Sequence, residues 1–433
     1  MSAAKRTPLS GPEMVALSKR HTMTEWSAQA AANPIPIARA KGSWFWTPEE
    51  EKFLDFNSQL MCTNIGHGDE RVLKAITDQA ATLAYANPFM ATEPRARLGA
   101  KLAEICPGDI DAFFFTNGGA EAVENAFRIA RLYTGRHKIA ARYRSYHGGT
   151  SGALSATGDP RRWFAEPGMP GIFRIPDFHE FGAAEPRPVA EVLAETEKII
   201  RFEGPHTVAA IIVEPVVGTN GILIPPDGYM QGLRDICDRH GILLIADEVQ
   251  TGFARTGKMF AMEHFGVSPD LMTMAKSMAG GTTLSAVSGK AAIMDGPAPG
   301  GLGGTYAGNP LAIAASHAVL DVMAEERLPE RAQKLGDQLI GHLIAQRAVY
   351  PQRMGDVRGL GAMVACEFID AKGAPDADTT KKVQTAALKR GLLLLTCGVY
   401  GNVIRFLFPL TIEDSVFAEG LAKFDAALAE VLA

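Results

Sequence analysis

From about residue 70 to 320 the apolar positions gather in short unbroken runs: "AFFFT" at 112–116, "TVAAIIVEP" at 207–215, "ILLIAD" at 242–247, "LMTMAK" at 271–276 and "LSAVSG" at 284–289. Runs of this length without polar alternation suit strands covered on both faces. Between them the spacing turns helical, as where Val123, Phe127 and Ala130 share one face. Such alternation predicts βαβ units, and so an α/β fold with a mainly parallel central sheet in a large domain. The first sixty residues differ. In "GSWFWTPEEEKFLDFNSQLMCTNIGHG" aromatic and polar residues alternate, which predicts short strands or hairpins. The last hundred residues open on a helical stretch near 309–325, pass through "GAMVACEFID" and "NVIRFLFPLTI", and end in a helical tail, a pattern that predicts a smaller α+β domain. The expected boundaries are 1–66 for an N-terminal arm and small-domain segment, 67–320 for the large domain and 321–433 for the C-terminal small domain. The Pro-rich stretches near 167–188 and 297–310 read as loops, and no internal repeat or low-complexity segment interrupts the pattern.

Composition narrows the partners. A chain of 433 residues with 47% hydrophobic and 21% charged residues has room for two or three packed domains, and a formal net charge of −5 gives no general attraction for nucleic acid or anionic membranes. Small molecules are the expected ligands. The residues after Met1 are polar with no apolar signal core, and no later run approaches bilayer length, so a cytoplasmic location is expected. Five scattered cysteines without a CxxC pair point to reduced thiols and to no metal site.

The "ILLIAD" run raises a physical problem, because it ends in two carboxylates, Asp247 and Glu248. Desolvating an acid is costly unless it is paired, so the strand end opens into a polar cleft or Asp247 meets a fixed positive charge. Three other stretches end buried runs with reactive or flexible groups. "FFFTNGGAEAV" carries Gly118 and Gly119 into a helix start, which is either a cradle of amides for an anion or a tight turn that needs glycine. It matches neither a dinucleotide fingerprint nor a Walker loop. "ARYRSYHGGT" places Tyr146 and His147 before a Gly-Gly turn, where they stack on a flat ligand or pack locally. "DLMTMAKSMAGG" sets Lys276 among apolar neighbours, a rare position for a lysine unless it snorkels. Lys276 and Asp247 each close a strand at the same sheet edge, where open α/β folds bind ligands. A ligand with an anion, a flat ring, an aldehyde and a protonatable ring nitrogen satisfies all four features, and pyridoxal 5'-phosphate is such a molecule.

These motifs, together with "IIVEPVVGTNGILIPPDGY", "DEVQTGFARTGKMFAMEHFGVSPDLMTMAKSMAGG" and "GGLGGTYAGNPLA", make the chain similar to class III aminotransferases, enzymes of the fold-type I pyridoxal phosphate group, over nearly its whole length. The resemblance implies Lys276 as the lysine linked covalently to the cofactor and Asp247 as partner of the ring nitrogen. It further implies Gly118, Gly119 and Ala120 at the phosphate, Tyr146 or His147 over the ring, and Val249 and Gln250 beside it. Thr305 would reach the phosphate of a neighbouring subunit, making a homodimer with shared active sites, with a tetramer open. For the substrate it implies Leu60, Glu214 and Arg405, the arginine being a two-point carboxylate clamp and Glu214 its partner when no carboxylate is bound.

One departure bears on substrate. Relatives that act on 4-aminobutyrate carry "HGRT", whose arginine grips a second carboxylate, whereas here the motif is "HGGT" with Gly149. The expected reaction is therefore transfer of a terminal amino group from a taurine-like or carboxylate-poor amine to a 2-oxo acid such as pyruvate. The alternative is 4-aminobutyrate or β-alanine with 2-oxoglutarate. An aminomutase or decarboxylase on the same fold is more remote.

Overall fold

The computed structural model describes residues 7–179 and 187–432. Its central sheet has seven strands: β1 (Ala112–Thr116), β2 (Lys138–Arg142), β3 (Ile172–Ile175), β4 (Val208–Val213), β5 (Leu243–Asp247), β6 (Leu271–Met274) and β7 (Ser285–Gly289). They lie in the order β1-β7-β6-β5-β4-β2-β3. Every residue of β4 to β7 is buried, as the unbroken apolar runs require of strands covered on both faces. The sheet is parallel apart from β7, which runs antiparallel to both β1 and β6. Only a short turn through Lys276–Ala279 separates β6 from β7, too little chain for a helical crossover, so the strand must return antiparallel. The run at 284–289 is thus a strand as expected, outside the βαβ repeat. Strand β3 lies inside the Pro-rich stretch that reads as a loop in sequence: four residues between Gly171 and Pro176 suffice for an edge strand.

Helix α1 (Gly119–Thr134) follows β1 and buries the face that carries Val123, Phe127 and Ala130. Helix α2 (Pro310–Glu325) starts where the helical pattern does, with Asn309 capping the amide of Leu311. The aromatic-rich N-terminal stretch forms the strands Arg39–Lys41, Trp44–Trp46 and Lys52–Asp55, and the last of these pairs in parallel with Leu392–Leu393. Residues 39–55 and the C-terminal part therefore share one sheet. A second small sheet, Met354–Leu360, Met363–Phe368, Val403–Phe406 and Leu395–Cys397, is antiparallel throughout and carries Arg405 in a buried strand. Among the described residues no helix is long and apolar enough to cross a membrane, and no cluster of His, Cys, Asp and Glu could hold a metal.

Glu248, next to Asp247, is fully buried and ties down the segment that follows β5. Its carboxylate accepts the amides of Ala261 at 3.0 Å and Met262 at 2.8 Å, together with the Thr251 hydroxyl. Burial pushes its pKa up to about 7, against the pull of those three donors. Replacing Glu248 with Ala leaves the donors buried and unpaired, so we expect a loss of about 3 kcal/mol in chemical denaturation. A raised folded-state pKa means that the carboxyl's contribution is complete below its ordinary value and is lost as pH rises through about 7. Glu248→Gln should accordingly flatten the fall in melting temperature between pH 4.5 and 7, measured by differential scanning calorimetry.

Candidate active site

Strands β5 and β6 are neighbours in register, with Asp247 opposite Thr273. The Asp247 carboxylate is buried and takes three bonds: from the amide of Val249 at 3.1 Å, the hydroxyl of Thr273 at 3.1 Å, and Nδ1 of His147 at 2.7 Å. A carboxylate can only accept, which assigns the Nδ1 proton to His147. His147 is held in turn by its own amide on Thr157 Oγ1 at 3.0 Å, while its Nε2 is buried without a protein partner. Of the two candidates for covering a ring, His147 is thus engaged with Asp247, and Tyr146 lines the cavity beside it.

Lys276 follows β6 with a left-handed backbone, φ 49°, and its side chain enters the same cavity. Burial holds its amine below the ordinary lysine range, opposed by the thiol of Cys62 and the carboxylate of Asp247, while the charge of Arg405 lowers it further. The next residue, Ser277, fixes the opposite wall. Its hydroxyl donates to Met61 O at 2.6 Å and accepts the amide of Asn64 at 3.3 Å. Leading into those anchors, Ser58, Gln59, Leu60 and Met61 all have positive φ, a left-handed turn that presents Leu60 and Cys62 to the cavity. Such a turn costs about 1–2 kcal/mol per residue, so it persists only because both ends are tied.

The start of α1 forms part of the cavity wall. A Cβ on Gly119 would come within 2.9 Å of Val249, and one on Gly148 within 2.5 Å of Ala120, so glycine at both positions lets the helix start approach the loops after β5 and β2. The cavity, of about 490 Å3, is lined by Gly118, Gly119, Ala120, Tyr146, His147, Asp247, Val249, Gln250 and Lys276. Leu60 and Glu214 border it too. Glu214 accepts the amides of Tyr146 at 2.9 Å and Gly218 at 2.8 Å, and burial raises its pKa. It forms no ion pair with Arg405, the partner it would be expected to take when no carboxylate is bound. Arg405 is buried, with Nε and Nη1 lacking partners, and burial lowers its pKa. Thr305 is exposed and does not line this cavity; its carbonyl accepts the Tyr85 hydroxyl at 3.0 Å.

The residues present fit pyridoxal phosphate. The orphaned Nε2 atoms of His147 and Gln250 sit in the cavity wall, the amine and the acid stand at adjacent strand ends, and a glycine-led helix start supplies backbone amides for an anion. Sequence reading missed Trp26 and Cys62 in the wall. Trp26 lies in an irregular segment without periodicity, and Cys62 gave a signal only through its place two residues after Leu60.

A family model for class III aminotransferases matches residues 26–428. The chain is 44% identical to 5-aminovalerate aminotransferase DavT of Pseudomonas putida over 92% of its length and 94% of that protein's. It is 42% identical to 4-aminobutyrate aminotransferase GabT of Escherichia coli over 90% and 92%. The solved structure of taurine:2-oxoglutarate aminotransferase from Bifidobacterium kashiwanohense, in complex with PLP and glutamate, superposes with a TM-score of 0.90 at 33% identity, covering 99% of this chain and all of that one. The chain belongs to the class III aminotransferases, pyridoxal phosphate enzymes of the mixed α/β fold described above.

Borohydride reduction of the loaded protein followed by peptide mass spectrometry should place the added cofactor mass on the peptide containing Lys276. Lys276→Ala should lose that mass while keeping its far-ultraviolet circular dichroism, and its turnover should fall by roughly 10²- to 10⁴-fold or more.

Proposed function

We propose that the protein is an ω-aminotransferase that takes the terminal amino group of a short acidic amine and delivers it to a 2-oxo acid. The observation that carries this reading is the pairing at the sheet edge, with Lys276 after β6 and the His147-bound Asp247 at the end of β5 opening on one cavity. When bound, pyridoxal phosphate supplies an aldehyde that captures amines and a protonated ring that withdraws electrons from the adjacent carbon. The protein's part follows from its residues. Asp247, oriented by His147 and Thr273, holds the proton on the ring nitrogen. Lys276 Nζ, whose pKa burial lowers, takes the proton from the donor carbon and returns it. Tyr146 and Val249 would bracket the ring, Gln250 its hydroxyl, and Gly118, Gly119 and Ala120 the phosphate. Thr305, outside its own cavity, suits a role at the phosphate of a second subunit in a homodimer.

For the donor, 4-aminobutyrate or 5-aminovalerate with 2-oxoglutarate takes first place, because relatives at 44% and 42% identity bear those substrates' names and Arg405 stands ready for a carboxylate. The taurine-like donor with pyruvate, expected from Gly149, is the second reading. It draws support from the taurine enzyme among the structural neighbours, although that enzyme is named for 2-oxoglutarate.

Mixing each donor with loaded enzyme should bleach the cofactor's visible band, and only addition of an oxo acid should restore it. A band restored without an oxo acid would instead indicate a mutase or decarboxylase. Across 4-aminobutyrate, 5-aminovalerate, β-alanine and taurine, we expect the ω-amino acids to bleach fastest. Arg405→Ala should raise KM for the oxo acid roughly 10- to 100-fold, the weight of a charge-assisted bidentate pair, with a smaller effect on kcat.

A further inference from the structure

Gly149 leaves the cavity without the second cation that the "HGRT" relatives place there, and a Cβ at this position would meet nothing within 4 Å. Another arginine stands behind one wall residue of this cavity, without itself lining it. The guanidinium carbon of Arg161 lies 4.0 Å from the centre of the Tyr146 ring, which itself lines the cavity. Its orientation is fixed: Nε bonds both oxygens of Asp159 at 3.0 and 3.1 Å, Nη2 bonds Asp159 as well, and the backbone amide of Arg161 donates to the same carboxylate at 3.0 Å. Asp159 is buried and also receives Asn220 Nδ2 at 3.4 Å, from the loop that follows Glu214. This geometry uses two nitrogens and leaves Nη1 for another acceptor.

The second observation is Arg405. Two of its nitrogens are buried without partners, and the charge of Arg161 acts on it unfavourably. Glu214, a carboxylate whose charge acts favourably on Arg405, already accepts two backbone amides. Arg161 already has Asp159 as its counter-ion, whereas Arg405 is buried with two unpaired nitrogens and feels that second guanidinium, an arrangement that a bound anion relieves. One carboxylate fills the unpaired nitrogens of Arg405, and a second carboxylate on the same substrate has Nη1 of Arg161 as a donor.

We propose that Arg161 is the second anion clamp of this cavity, engaging the distal carboxylate of a dicarboxylate 2-oxo acid while Arg405 takes the carboxylate next to the carbonyl. Arg161 thus fills from another loop the role that Gly149 cannot. This inference rests on the aminotransferase reading, and it makes Arg161 the residue that sets 2-oxoglutarate against pyruvate.

The test uses cofactor-loaded wild type, Arg161→Gln, Arg161→Lys, and Arg161→Gln combined with Gly149→Arg. In Arg161→Gln the ratio of kcat/KM for 2-oxoglutarate to that for pyruvate should fall roughly 10- to 100-fold, mostly through KM. Glutarate, which has both carboxylates and no reacting carbonyl, should bind more weakly by a similar factor in isothermal titration calorimetry. Arg161→Lys should fall between, and Gly149→Arg should restore glutarate binding to Arg161→Gln. Equal losses for both oxo acids, unchanged glutarate binding, or a loss that Gly149→Arg does not repair would overturn the proposal, the last by marking Arg161 as a brace for Asp159 alone. If wild type transaminates neither oxo acid, the aminotransferase reading falls, and the glutarate titrations still decide what Arg161 does.

Discussion

A carboxylate at the end of a wholly apolar strand is tolerable only if its charge is taken up, and the 2.7 Å contact between Asp247 and His147 is where this structure meets that demand. Much of the local architecture serves it. Thr157 fixes the backbone of His147, and Gly148 lets the His147 loop lie against Ala120 at the start of α1. Thr273 on the adjacent strand takes the other Asp247 oxygen, which locks the register of β5 against β6 and so sets where Lys276 emerges. The start of α1, the end of β5 and Lys276 are in this way held to one another by a single buried acid and its donors.

The two adjacent acids illustrate how strand geometry separates roles. Successive side chains point to opposite faces, so Asp247 opens on the cavity while Glu248 turns inward and binds the amides of Ala261 and Met262. Arg255 does comparable work on the far side of that loop. Fully buried, it donates to the carbonyls of Ala362 and Phe408 and to Asn64 Oδ1, with burial lowering its pKa to about 9. It thereby ties the loop after β5, the C-terminal segments and the left-handed turn at 58–61 into one unit. The turn is strained, and it stays in place because Arg255, Ser277 and the Leu407 carbonyl bind it from three sides.

How much of this is legible in the sequence depends on whether the signal is local. Buried strands announce themselves as apolar runs, so β1 and β4 to β7 are visible, and Asp247 and Lys276 stand out as charges that such runs should not contain. The edge strand β3 is too short and too polar at Arg174 to register against its Pro-rich surroundings. The direction of β7 follows from loop length, a quantity the apolar pattern does not carry. At the site, the division of labour between Tyr146 and His147 stays open in sequence, because it depends on which side chain reaches a residue a hundred positions away. Trp26 and Arg161 come to the cavity region through loops, where periodicity gives no guidance.

The separation between what is rigid and what varies also explains how one scaffold accommodates different acceptors. Asp247 and Lys276 stand at the ends of neighbouring strands, where a shift of an ångström would disturb the whole sheet. The cations available to a substrate anion stand elsewhere: Arg405 on the C-terminal sheet and Arg161 in a short turn braced by Asp159. A cation at position 161, like one at position 149, would therefore leave the ends of β5 and β6 undisturbed, provided the site brings its own brace. Asp159 is that brace, and its burial explains why the arginine beside it holds one orientation rather than sampling many. The tetrapeptide at the ring-covering motif is a poor guide to substrate by itself wherever, as proposed for Arg161, the charge it lacks comes from a residue behind the cavity wall whose only local signature is an aspartate two positions before it.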